Sequence, residues 1–77
     1  MRAAIRQTVQ DVLELEAEET RDDADFHADY DCDSVRKLDL IVALEKRFGV
    51  VYLPAEAEEM RTIDDAVRLT LAHAGGR

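Results

Sequence analysis

Only one cysteine, one proline, three glycines and no tryptophan occur in this sequence, and aromatic residues of any kind make up 5% of it. The lone Cys32 cannot close an internal disulfide, which argues against a cross-linked secreted framework and fits a reducing compartment. Basic residues are also scarce, at 10 against 18 acids, for a net charge of −8. Such a chain would be repelled by a phosphate backbone and attracted to basic protein surfaces. Long apolar runs are missing: the longest in the middle of the chain, Leu40 to Leu44, is far too short for a membrane span or a signal peptide core. A soluble, cytoplasmic protein is expected, with neither nucleic acid nor membrane as partner.

What remains is enough to fold. The 77 residues form one domain, 1–77, with a tail expected to fray from about Ala74 to Arg77. A chain of this size buries only about 60% of its unfolded surface. Its hydrophobic content of 47% still supplies a small core and exceeds that of a disordered segment.

Apolar periodicity predicts helices. Ile5, Val9, Val12 and Leu13 form one stripe, placing a first helix from about Arg2 to Glu16. A long acidic connection follows, Thr20 to Asp33, expected to be irregular because aspartates bond their own backbone. Phe26 and Tyr30 are its expected anchors to the core. A second helix starts at Asp33 or Ser34, either of which can cap it, and ends at Gly49. Its apolar residues cover more than one stripe, so part of that surface is left to face something other than the core. Val50 to Leu53 reads as an extended connection whose side chains cover the core, since no second run exists to pair with it. Pro54 opens a short third helix, Ala55 to Met60. Thr62-Ile63-Asp64-Asp65 opens the last one with a capping-box pattern. The expected fold is all-α: a four-helix bundle with a short third helix and a long loop between helices one and two.

The aspartates at 29, 31 and 33 invite a calcium-loop reading. Position 6 of such a loop would be Ser34 instead of glycine, and position 12 would be Leu40 instead of glutamate, so no metal site is expected. A catalytic serine needs an oriented base. His27 and His73 are the only histidines; the first reads as a half-covered loop residue and the second as a solvated one near the end. Ser34 is therefore either a simple cap or an open hydroxyl at a helix N-terminus, where anions are favoured.

Five segments in order decide between these. Asp33-Ser34-Val35, then Leu38-Asp39-Leu40 through Ala43-Leu44-Glu45, then Phe48-Gly49-Val50 resemble acyl carrier proteins. So do Leu53-Pro54 with Glu56-Ala57-Glu58-Glu59-Met60, and Thr62-Ile63-Asp64-Asp65-Ala66-Val67. The resemblance spans nearly the whole chain. It implies that Ser34 carries 4′-phosphopantetheine, installed from coenzyme A by a phosphopantetheinyl transferase, and that the arm holds acyl or polyketide intermediates as thioesters. The chain itself would be no enzyme. Its expected partners are that transferase and acyltransferase, ketosynthase or acyl-activating enzymes with basic docking surfaces, met by a monomer. The implied contacts are Asp33, Val35, Arg36, Lys37, Leu38, Asp39, Val42 and Glu45 on the second helix, with Glu56 and Glu58 on the third. For Leu38, packing into the core is an equal reading.

Several residues depart from the family pattern. Ser34 to Phe48 carries four basic and two acidic side chains, where the family's second helix is usually acidic. Arg36 and Lys37 oppose the helix dipole in the first turn, with no folding reason legible in the sequence, which points to partner selection by acids on a dedicated pathway's enzymes. Asp31-Cys32 stands where Gly-Ala is common, and Cys32 reads as a small apolar filler, with a redox or dimer-forming thiol as the alternative. The interval from Pro54 to Thr62 looks one residue short, so the third helix is expected to be tight or irregular. An aminoacyl or peptidyl carrier is the neighbouring alternative, and a small acidic helical adaptor without prosthetic group the alternative of another class.

Overall fold

Ile5, Val9 and Leu13 lie along the buried side of α1 (Arg2–Leu13) in a computed structural model that describes the backbone of residues 1–75 and the side chains of residues 1–73. Helix α1 stops three residues before the expected Glu16. Glu14 turns into the left-handed region at φ 56°, and the Leu15 N–H reaches back to the Gln10 carbonyl at 3.0 Å. That geometry returns Leu15 to the core, where it packs half-buried.

The acidic connection is more ordered than its composition predicts. A single 3₁₀ turn spans Ala17–Glu19, and a short helix α2 spans Phe26–Tyr30. The same aspartates expected to oppose helix formation create this one. Asp25 caps α2 by accepting from the His27 and Ala28 N–H groups, and the Asp29 carboxylate accepts the Asp25 N–H. Phe26 is buried, and the Tyr30 hydroxyl accepts from the Arg21 N–H at 2.8 Å while donating to the Glu19 carbonyl. Both aromatics anchor the loop, as expected.

Two main-chain bonds then tie this connection to the far end of the fold: Phe26 N–H to the Arg61 carbonyl at 2.7 Å, and Asp64 N–H to the Asp22 carbonyl at 3.0 Å. The Asp22 carboxylate receives Arg2 and Arg6 from α1.

Helix α3 (Ser34–Phe48) has the length and caps read from the sequence: Asp33 at its start and Gly49, at φ 66°, at its end. Residues 50–53 are extended and unpaired. They alternate, with Val50 and Tyr52 buried and Val51 and Leu53 exposed, so only half of this segment covers the core as expected. Helix α4 (Pro54–Glu59) is short but regular, with the Glu56 carboxylate accepting the Leu53 N–H at 2.8 Å. Helix α5 (Ile63–Gly75) starts with Thr62 Oγ1 accepting the Asp65 N–H, while Asp65 accepts from Arg61. It continues through Ala74 and Gly75, where fraying was expected; the remainder of that expectation, Gly76 and Arg77, lies outside the described residues.

The four expected helices are thus α1, α3, α4 and α5, with α2 added inside the loop, and no strand occurs among the described residues. Helix α1 packs against α3 and α5. The core joins Ile5, Val9 and Leu13 to Leu40, Ile41 and Leu44 of α3 and to Ile63, Ala66, Val67 and Leu69 of α5. Each large member contributes roughly 1.5–3 kcal/mol by leaving water. No helix among the described residues is long and apolar enough to cross a membrane.

Candidate functional site

Asp33, not Ser34, caps α3: its Oδ1 accepts the Arg36 N–H at 2.8 Å. That assignment frees Ser34. The serine is the first helical residue, is exposed, and its hydroxyl makes no side-chain hydrogen bond among the described residues.

Beside it opens a recess of about 170 Å³ between α2 and α3. Phe26 and Cys32 form its apolar part, with Ser34 on its edge. Two carboxylates line it, Asp25 and Asp33, and both are occupied in capping helices. The bonds from the Ala28 and His27 N–H groups, outweighing slight desolvation, hold Asp25 below the usual carboxylate range. Three basic side chains complete the lining: His27, Lys37 and Arg61.

Cys32 is 4% exposed and sits in the core cluster, so it fills space as expected. Burial, helped by Asp33, pushes its thiol pKa up against the opposing pull of Lys37 and Arg36, which keeps it unreactive. His27 is exposed rather than half-covered, and its Nδ1 lies 3.1 Å from the Cys32 carbonyl. A carbonyl can only accept, so Nδ1 carries the proton there. No histidine bonds Ser34 among the described residues.

The expected contact residues divide into two groups. Val35, Leu38 and Val42 are 67%, 64% and 45% exposed, and they share one side of α3, with exposed Asp39 beside them. For Leu38 this corrects the core reading: the spacing of Leu40, Ile41 and Leu44 turns the opposite side inward. Glu58 is exposed too. Glu45 and Glu56, by contrast, hold the bundle together. Glu45 accepts the Tyr52 N–H at 2.9 Å, and Glu56 accepts from Leu53 and from His73 Nε2. His73 is therefore no solvated end residue: α5 runs past it, and its ring meets Tyr52 edge-on at 5.5 Å.

Arg36 also has the folding partner that sequence reasoning missed, Glu14 at the end of α1, at 3.4 Å. Both side chains are well exposed, so the pair is a weak tie. Val51 and Leu53, 74% and 62% exposed, were missed as apolar surface. Their period-two alternation with Val50 and Tyr52 was the available signal.

A small helical bundle with an uncommitted hydroxyl at a helix tip, and an apolar stripe beginning next to it, has the make-up of a carrier module. Comparison with known proteins agrees. The model of the family "Phosphopantetheine attachment site" matches residues 3–70. Polyketide-8 synthase acyl carrier protein 2 of Streptomyces avermitilis is 38% identical over 71 residues, covering 92% of this chain and 82% of that one. Acyl carrier proteins of Petrotoga mobilis and Thermosynechococcus vestitus are each 35% identical, over 84% and 82% of this chain and 76% and 78% of their own lengths. The chain belongs to the acyl carrier protein family, whose prosthetic group is 4′-phosphopantetheine.

Proposed function

We propose that Ser34 is the attachment point and that the chain carries acyl or polyketide intermediates for a dedicated biosynthetic pathway. The observation that carries this reading is the division of labour at the start of α3: Asp33 takes the cap, leaving the Ser34 hydroxyl open to a modifying enzyme. The prosthetic arm supplies a thiol on which acyl groups are held as thioesters. The surroundings suit its phosphate. The positive end of α3 favours an anion, the neighbouring acids already accept backbone N–H groups, and cations line the adjoining recess.

The chain performs no bond chemistry itself. Its residues present the tether, which raises the concentration of cargo at whichever enzyme is docked. We assign docking to Val35, Leu38 and Val42 as the apolar centre, with Asp33, Arg36, Lys37, Asp39 and Glu58 as charged surroundings and Glu45 and Glu56 as supports beneath. Partners are a phosphopantetheinyl transferase and acyltransferase, ketosynthase or acyl-activating enzymes. The polyketide direction is supported by the name of the Streptomyces avermitilis relative and by the basic residues of α3, which call for acids on the partner. Relatives named as acyl carriers favour acyl over aminoacyl or peptidyl cargo.

Incubation with coenzyme A, Mg²⁺ and a broad-specificity transferase tests the assignment by mass spectrometry. The wild type should gain one phosphopantetheine and Ser34→Ala none; modification of the alanine variant would refute it.

A further inference from the structure

Lys37 occupies an unusual place. It lies three, four and seven residues before Leu40, Ile41 and Leu44, on the stripe of α3 that faces the core. An ammonium there should have a carboxylate partner, yet among the described residues Lys37 makes no ion pair or side-chain hydrogen bond. At this end of α3 the core gives way to the recess beside Ser34, and Lys37 lines it. Arg61 lines it from the α4–α5 junction, its guanidinium likewise without a hydrogen bond or ion pair. The backbone of Arg61 is fixed there, because its carbonyl accepts the Phe26 N–H and its own N–H is held by Asp65. His27 closes the third side from α2. The carboxylates in the same recess, Asp25 and Asp33, are turned to helix N–H groups. Asp25 feels the charges of Arg61 and His27 across the recess, but neither Lys37 nor Arg61 makes a direct ion pair among the described residues. In a chain of net charge −8, two such cations sharing a recess with one open hydroxyl mark a place for an anion.

Building on the assignment of Ser34 as attachment point, we propose that Lys37 and Arg61, flanked by His27, form a cradle that holds the phosphodiester of the attached arm in the recess between α2 and α3. The first link of the arm is then fixed to the body of the protein, and only the part beyond it swings. This gives Lys37 a role within the chain in addition to any contact with partners. It also gives the cation placed against the dipole of α3 an anionic partner, the attached phosphate.

The test is phosphorus NMR on the modified protein, with loading at Ser34 verified by mass. Charge-assisted bonds should slow the phosphate, so its transverse relaxation rate in the wild type should exceed that of the Lys37→Gln/Arg61→Gln variant by about twofold at low salt. Lys37→Arg should keep the wild-type rate. A salt series needs no variant: raising sodium chloride from 10 mM to 1 M shortens the screening length from about 30 Å to about 3 Å, and the wild-type rate should fall toward that of the double variant. A fully loaded protein whose relaxation ignores both salt and substitution would overturn the cradle alone. Failure of Ser34 to load would overturn the attachment assignment and the cradle with it.

Discussion

Glu56 of α4 and His73 of α5 meet at 2.9 Å, and the same carboxylate oxygen accepts the Leu53 N–H at the start of α4. One side chain thus caps a short helix and ties it to the last one. The Leu53 bond, followed by the one from His73, lowers the Glu56 pKa below its ordinary value. A carboxylate with a depressed folded-state pKa stabilises the fold above its unfolded pKa, near 4.3, and loses that contribution as pH falls through the folded value. Melting curves should therefore show wild type and Glu56→Gln converging as pH drops from 6 to 3, with wild type the more stable at the upper end. A constant gap across that range would contradict the coupling.

Asp22 is the ionic centre of the loop. Partial burial works to raise its pKa, but the hydrogen bonds from Arg6 and then Arg2 prevail and lower it. Its side chain is 24% exposed and those of the two arginines are more so, which limits the value of each pair through solvent screening. Asp22→Asn should cost about 1 kcal/mol, or roughly 4–8 °C in Tm for a domain this small. The loss should shrink at high salt, when urea or thermal unfolding is repeated there.

Tyr52 and Thr70 share a buried hydroxyl contact of 2.6 Å. Tyr52→Phe leaves the threonine hydroxyl without that partner and should destabilise by about 1–3 kcal/mol. Adding Thr70→Val removes the orphan, so the double variant should recover part of the loss in a double-mutant cycle. Strictly additive losses would show that the two hydroxyls do not act as a pair.

Docking and stability should separate on α3. Leu38→Ser acts at an exposed position and should move stability by no more than about 0.5 kcal/mol. Acyl transfer from a cognate acyltransferase or ketosynthase should nevertheless fall by about tenfold, the size expected for an apolar contact worth about 1.4 kcal/mol. Arg36→Glu reads the charge preference of the same partners. Glu14→Gln is its control, since it breaks the Arg36 pair without reversing the surface. Unchanged kinetics for Arg36→Glu would remove the case for acidic partners.

The helices that form the core were legible because their signals are local and redundant. Ile5, Val9 and Leu13 repeat at helical spacing, Gly49 takes a left-handed turn cheaply, and Pro54 and Thr62 each open a helix by their own chemistry. Helix α2 was not legible, because an aspartate that disfavours a helix interior favours a helix start, and composition alone does not distinguish the two. The end of α1 was missed for a similar reason: Glu14 is no usual left-handed residue, and what places it there is the packing of Leu15. At the site, spacing left Ser34 as either a cap or an open hydroxyl and Leu38 as either core or surface. The attachment reading of Ser34 came from the resemblance of the surrounding segments. The roles of Lys37, Arg61 and His73 could not be read from the sequence, since each depends on what a distant segment brings alongside: α2 for the first two, α4 for the last.

The stitches between the acidic connection and the α4–α5 junction, Phe26 to Arg61 and Asp64 to Asp22, use only peptide groups. The two bonds themselves are therefore indifferent to side-chain identity, while buried Phe26 and the Asp22 carboxylate hold the strips in place around them. Proline, having no N–H to offer, would remove either bond outright, and positions 26 and 64 are where inheritance should forbid that residue.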